Sequence, residues 1–206
     1  MKVLLINGSP NSSGCTYTAL CEAARQLEKN GIETEIFHIG KKPVSGCIGC
    51  RSCKKTGKCV FDDIVNVAAE KMRECDGLIV GSPVYYASAN GSVISFLDRF
   101  FYSAGSDFIY KPAAAVCSAR RAGTTATLDE LNKYFAINQM PIVSSQYWNM
   151  VHGNTPEQVA QDEEGLQIMR TLANNMAWLL KCIEAGKKDG IVPVREEERR
   201  QTNFIR

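Results

Sequence analysis

Residues 2–18, KVLLINGSPNSSGCTYT, carry the reading that decides the fold. KVLLIN (2–7) is a short apolar run of the buried-strand type, ended by Gly8, Ser9 and Pro10. Only a small polar loop separates it from a helical stretch opening near Cys15. The unit is therefore strand, loop, helix. A helix N-terminus presents unpartnered backbone N–H groups and is a ready anion site. Two phosphate motifs are excluded by the letters. G-x-G-x-x-G fails because Ser9 and Pro10 follow Gly8. G-x-x-x-x-G-K-[ST] fails because the span from Gly8 to Gly14 is one residue too long and Cys15 stands where lysine is needed. What remains is a loop of neutral donors, Ser9, Asn11, Ser12, Ser13 and Thr16, suited to a single phosphate. A plain turn with a helix cap from Ser12 or Ser13 is the alternative.

Outward from this unit, strand and helix patterns alternate to the end of the chain. The pattern predicts helices over 16–30 (closed by Gly31), 62–74 (opened by Asp62 and Asp63), 91–103, 125–136 and about 156–184. It predicts strands over 32–39, 77–83, 113–119 and 142–148. Five strands with intervening helices imply an α/β three-layer fold around a five-stranded parallel sheet. Right-handed crossovers favour the order 2-1-3-4-5. In such sheets ligands sit beyond the carboxyl ends of the strands, at the switch point. Three loops meet that condition: the loop over 9–16, GSPVYYASANGS (81–92) and CSARRAGTT (117–125). The second offers Tyr85 and Tyr86 to an aromatic ring system, the third Arg120 and Arg121 beside a glycine. Together the three suit a flavin, phosphate on the first and ring between the others. A loop without lysine favours a flavin monophosphate over an adenine dinucleotide.

The second feature is GCIGCRSCKKTGKC (46–59), which places Cys47, Cys50, Cys53 and Cys59 as C-x2-C-x2-C-x5-C. Runs of this kind hold iron–sulfur clusters. Zinc sites usually join two C-x2-4-C knuckles across a longer spacer, and the five residues here are short for that. A redox-active Cys47–Cys50 pair without a cluster is the other alternative. Six basic residues and no acid lie between His38 and Phe61: Lys41, Lys42, Arg51, Lys54, Lys55 and Lys58. Such cations would offset the negative charge of a thiolate-ligated core, or lower the thiol pKa values if no cluster is present. Cys21, Cys75, Cys117 and Cys182 stand among apolar neighbours and read as small buried hydrophobes. Cys15 lies at a helix start, where a thiol pKa can fall, but the backbone there is the better candidate for a role.

At 206 residues the chain is expected to form one domain, residues 1–186 including the cysteine loop 43–62, followed by a C-terminal arm over 187–206. The arm lacks core periodicity yet carries Phe204 and Ile205, and reads as reaching a neighbouring subunit. A net charge of +2 offers no argument for nucleic acid and none for an acidic docking face. MKVLLING is too short for a signal peptide and no run has transmembrane length, so the expected location is the cytoplasm, with reduced thiols. With two histidines and neither H-E-x-x-H nor G-x-S-x-G, a hydrolase is disfavoured.

GSPNSSGCT, GCIGCRSCKKTGKCVFDD and GSPVYYASANGSVISFLDRF, in that order, resemble the NADPH-dependent FMN reductase branch of the flavodoxin-like proteins, and within it the iron–sulfur flavoproteins. The resemblance covers roughly residues 1–180. It implies a flavodoxin-like fold, one FMN per subunit, and a homodimer or homotetramer. It implies phosphate contacts at Ser9, Asn11, Ser13, Cys15 and Thr16, and ring contacts at Pro83, Val84, Tyr85, Tyr86, Ser118, Arg120, Arg121 and Gly123. It also implies that Cys47, Cys50, Cys53 and Cys59 ligate a [4Fe–4S] cluster. The expected function is an FMN-dependent NAD(P)H oxidoreductase. Reduced nicotinamide or a ferredoxin-like donor would supply electrons; a small molecule or a protein would accept them. A non-enzymatic flavodoxin-like carrier and a thiol-redox flavoprotein without a cluster are the alternatives.

Overall fold

The computed structural model describes residues 1–194 together with Glu197, Arg200, Thr202 and Phe204. Strand β1 (Lys2–Asn7) is buried in all but its first residue, so a continuous apolar run is what a central strand covered on both faces requires. It pairs in parallel with β2 (Glu33–His38) on one side and β3 (Gly77–Tyr85) on the other. A two-residue strand, β4 (Ser88–Ala89), folds back antiparallel on the end of β3. Beyond β3 lie β5 (Ala113–Ala119) and β6 (Met150–His152), both parallel. The order is β2-β1-β3-β5-β6. Counting only the parallel strands, this is the expected five in the expected 2-1-3-4-5 order, and β4 is a sixth strand the sequence did not announce.

Helices α1 (Cys15–Lys29) and α7 (Glu163–Lys188) bury Leu20, Leu27, Met169, Leu172 and Met176 against Val3, Leu5, Ile79 and Val116. The opposite face meets α3 (Ile64–Arg73), α4 (Gly91–Ala104) and α5 (Thr124–Ile137), whose Phe96, Phe100, Leu131 and Phe135 pack on Leu4, Ile6, Leu78 and Val80. Odd and even residues of β1 thus feed two separate cores, as the period of two dictates. Two short helices complete the set, α2 (Cys53–Thr56) and α6 (Pro156–Val159).

The stops follow the residue chemistry. Gly31, at φ 78°, ends α1: Ile32 N donates to Leu27 O and Gly31 N to Glu28 O, the paired bonds of a glycine C-cap. Asp63 opens α3 by accepting from Val65 N at 3.1 Å.

Two expectations are corrected. The fifth parallel strand is not 142–148 but Met150–His152. Pro141 O accepts from Ala113 N, and Val143 N donates to Ala113 O, so the chain touches the sheet there. It then leaves, because Ser145 Oγ bonds locally to Tyr147 O and Asn149 Oδ1 and Asn175 takes Ser144 O. An edge strand tolerates such a detour. The last helix is also not continuous from 156: α6 ends at Val159, and Asp162 caps a new start by accepting from Gly165 N at 3.0 Å. The expected arm over 187–206 begins inside α7, and past Val194 only Glu197, Arg200, Thr202 and Phe204 of it are among the described residues, Ile205 lying outside them. Among the described residues no helix is long and apolar enough to cross a membrane.

Candidate functional site

The loop after β1 is drawn tight onto the sheet. Gly8 N donates to Gly81 O at 2.9 Å, and a Cβ on Gly8 would stand 2.0 Å from Val93 Cγ2. Within the loop, Asn7 Oδ1 accepts from Ser9 N, Ser9 Oγ from Asn11 N at 3.1 Å, and Asn11 Oδ1 from Ser13 N at 3.2 Å. Ser9 is buried and its hydroxyl proton is uncommitted. Buried Thr16 meets Ser118 of β5, with Oγ1 and Oγ 2.8 Å apart. One hydroxyl donates to the other, which leaves one proton of the pair for a ligand. No side chain caps α1 at Gly14, so the alternative role for Ser12 or Ser13 is absent. The loop thus gathers O–H donors and backbone N–H groups at a helix start, the donor set that anions take. At Cys15, burial pushes the thiol pKa up, and Sγ lies 3.6 Å from Gly153 O.

The second and third loops close on the same end of the sheet. Pro83 and Val84 are half-buried at the end of β3, and Tyr85 and Tyr86 are exposed beyond them. Tyr86 and Ala87 take φ of 52° and 59° at the tip of the β3–β4 hairpin, where L side chains are strained. Glu130 of α5 holds that turn, accepting from Ser88 Oγ at 2.7 Å and Ala89 N at 2.9 Å. Gly123, at φ 89°, lets the third loop approach: a Cβ there would stand 2.7 Å from Ala87 Cα. Arg120 and Arg121 are exposed. All three predicted loops are therefore brought together. His38, to which the sequence assigned no role, joins them with Nε2 2.8 Å from Ser9 O.

The four cysteines of the second motif line one small, open cavity with Arg99 and Tyr102 of α4. Cys47 and Cys50 are exposed and Cys53 and Cys59 half-buried, all reduced. Among the described residues no three Cys, His, Asp or Glu side chains are gathered to hold a single metal ion. A multi-iron core spreads its ligands over several corners, and four thiols around one cavity are the donor set it needs. Ser52, bonding to the Cys50 sulfur, pulls that thiol's pKa down, whereas burial pushes Cys53 up, aided by the neighbouring thiols. The expected lowering by the local lysines is thus corrected; all six basic residues of the loop are exposed, and Lys58 is engaged with Glu70 at 2.6 Å. The cation at the sulfurs is Arg99, whose Nε donates to Cys59 Sγ at 3.2 Å. Its only sequence signal was a charge three residues after Phe96, beside the apolar face of α4. Among the isolated cysteines, Cys75 and Cys117 are buried as expected, but Cys21 is half-buried and Cys182 exposed.

The profile of the NADPH-dependent FMN reductase family matches residues 1–155. An iron–sulfur flavoprotein of Methanocaldococcus jannaschii is 33% identical over 192 residues, covering 89% of this chain and all of that protein. Among solved structures, RosB with a bound riboflavin-phosphate intermediate superposes with a TM-score of 0.71 at 14% identity, over 100% of this chain and 92% of that one. A flavodoxin from the domain Archaea gives 0.60 at 14% identity over 88% and 99%. At that identity the structures speak for the fold alone, which is flavodoxin-like. The profile match spans most of the sequence, and the chain belongs to the NADPH-dependent FMN reductase family.

Proposed function

We propose that this oxidoreductase seats the FMN phosphate on Ser9, Asn11, Ser13, Cys15 and Thr16, the last two through backbone N–H groups as well. The ring would lie between Pro83–Val84–Tyr85–Tyr86 and the loop carrying Ser118, Arg120, Arg121 and Gly123. The observation that carries this is the uncapped start of α1, ringed by hydroxyls that keep a proton, at the switch point between β1 and β3. Bound FMN would accept a hydride from NAD(P)H and pass electrons on. The protein's part is to bind and orient. Neutral donors hold the phosphate, the hairpin aromatics offer a face to the ring, and Arg120 and Arg121 lend positive charge beside it. Reconstitution with FMN followed by washing tests the site, and a colourless product refutes it. NAD(P)H oxidation with a quinone, free flavin or ferricyanide separates a reductase from a pure carrier.

Cys47, Cys50, Cys53 and Cys59 are proposed to hold a [4Fe–4S] cluster, supported by the shared cavity and by the name of the M. jannaschii relative. Anaerobic reconstitution with iron and sulfide should load about four irons per subunit, and Cys53→Ala should abolish loading while FMN stays bound. Iron uptake indifferent to that change refutes the cluster. A nicotinamide or ferredoxin-like donor, a small-molecule or protein acceptor, a homodimer or homotetramer and a cytoplasmic location complete the proposal. So does a division into a flavin domain over 1–186 and an arm over 187–206.

A further inference from the structure

Among the described residues, Arg99 is the only buried charged side chain. It rises from the middle of α4, and the cysteine segment meets it from three directions. Nη1 donates to Ser45 O at 3.2 Å, ahead of the first cysteine. Nε donates to Cys59 Sγ at 3.2 Å, the last cysteine. Nη1 and Nη2 each donate at 2.8 Å to the two oxygens of Asp63, just beyond it. The Phe61 ring lies against the guanidinium, 4.7 Å from centroid to Cζ. One planar fork therefore closes both ends of the segment, a geometry that lysine cannot reproduce.

The segment's other ties lie at the surface: Arg73 Nη2 donates to Gly57 O at 3.1 Å, Lys58 pairs with Glu70 at 2.6 Å, and Cys53 Sγ lies 3.8 Å from Tyr102 O. No residue from 41 to 64 is buried, so the cysteines do not rest on an apolar core of their own. Asn66 of α3 supplies the other main attachment, accepting from Cys59 N and donating to Cys59 O and Phe61 O. The loop's six basic residues, all exposed, are screened by water and salt. The charge of Arg99 is offset by Asp63 beside it, so what it brings to the sulfurs is the directed N–H···S bond to Cys59, shielded from solvent.

We propose that Arg99 is the positioning residue of the cysteine site. It clasps segment 45–63 to α4 and, through its N–H···S bond to Cys59, raises the reduction potential of the cluster held there. The second half rests on the iron–sulfur reading above; the clasp does not.

The test uses the full chain loaded with FMN, whose content reports the fold. The double variant Arg99→Leu with Asp63→Asn removes both charges together, leaves no unpaired buried ion and keeps an N-cap for α3. In iron-free protein, amide exchange over 57–63 is expected to quicken about tenfold or more, because a charge-assisted clasp is lost, with sheet amides unchanged. Unchanged exchange there overturns the clasp. After anaerobic reconstitution, the variant is expected to take up less iron than the parent, and the iron it holds to titrate at a lower midpoint potential. Equal uptake at an unchanged potential overturns the electrostatic role while the iron–sulfur reading stands. A parent chain that takes up no iron removes that reading and the electrostatic role together, and exchange still decides the clasp. If the double variant retains no FMN, Arg99→Lys replaces it in the same measurements: it keeps the charge but not the three-way fork, so exchange over 57–63 should still quicken. Exchange matching the parent in that variant overturns the clasp.

Discussion

Ser9 is a buried hydroxyl that accepts from a neighbour and still has a proton to give, and buried Thr16 shares one free proton with Ser118. Replacing Ser9 and Thr16 by alanine should weaken FMN binding without unfolding the chain. Each lost hydrogen bond to a charged phosphate is worth about 1.5–3 kcal/mol, or roughly tenfold or more in Kd by fluorescence titration. Gly8→Ala should act on the fold instead, since its Cβ would collide with Val93 Cγ2 and crowd Gly81 O at 2.8 Å. A loss of about 1–3 kcal/mol in denaturant unfolding is expected. The acid limb of stability has a residue address too. Glu35 accepts from Lys2 at 2.8 Å and Lys71 at 2.5 Å, and those bonds hold its carboxyl below the usual range. Its contribution is present above the unfolded pKa and fades as pH falls through the lowered folded value. Glu35→Gln should therefore flatten the acid side of a stability–pH curve. Lys2 runs the opposite way: Glu35 raises its pKa, so its share is intact below the ordinary lysine range and is lost as pH rises through the raised value. At this scale the legible residues were those adjacent in sequence. Ser9 to Thr16 form one loop, and the four cysteines one run. Arg99 and His38 were not legible, because each acts through a partner 40 or 29 positions away that only the folded chain brings near.

Among the elements, the β3–β4 hairpin departs furthest from local preference. Its tip uses Tyr86 and Ala87 at positive φ, where Asn-Gly would be the unstrained choice. A single carboxylate from α5 holds the far strand of the turn. Ala87→Gly should relieve left-handed strain and raise stability by about 0.5–1 kcal/mol in thermal unfolding, offset in part by glycine's entropy. Glu130→Ala should free the hairpin and weaken FMN binding, with Glu130→Gln closer to the parent because an amide oxygen can accept the same two bonds. Equal affinities across the three proteins would show that the turn holds itself. The hairpin was invisible in sequence for the reason that makes it informative: tertiary contact overrides the turn propensity of YYAS. The misplaced edge strand has a related cause. IVSSQYW carries β propensity, but the ladder is decided by which carbonyls stay free, and Ser145 and Asn175 take them. Strands β1, β3 and β5 were legible because burial on both faces leaves an unbroken apolar run.

Across the whole molecule, α4 separates the two proposed sites. Its first residue, Gly91, adjoins the loop that ends β3, while Arg99 and Tyr102 face the cysteine cavity. At 1.5 Å per residue, Gly91 and Arg99 are roughly 12 Å apart along the axis. The cysteine segment lies outside the core, attached through Asn66, Arg99, Arg73 and the Lys58–Glu70 pair, whereas the three strand-end loops are braced by the sheet itself. Changes at one site should therefore leave binding at the other almost untouched, since distant sites without shared partners are close to additive. Replacing Cys47, Cys50, Cys53 and Cys59 together by serine is expected to keep FMN affinity and ferricyanide-linked NAD(P)H oxidation within about twofold of the parent. Electron delivery to any acceptor that draws through the cluster should vanish in the same preparation. A parallel loss of FMN affinity would mean that the cysteine segment braces the flavin loops after all, and that α4 transmits strain between two sites which the hydrogen bonds keep apart.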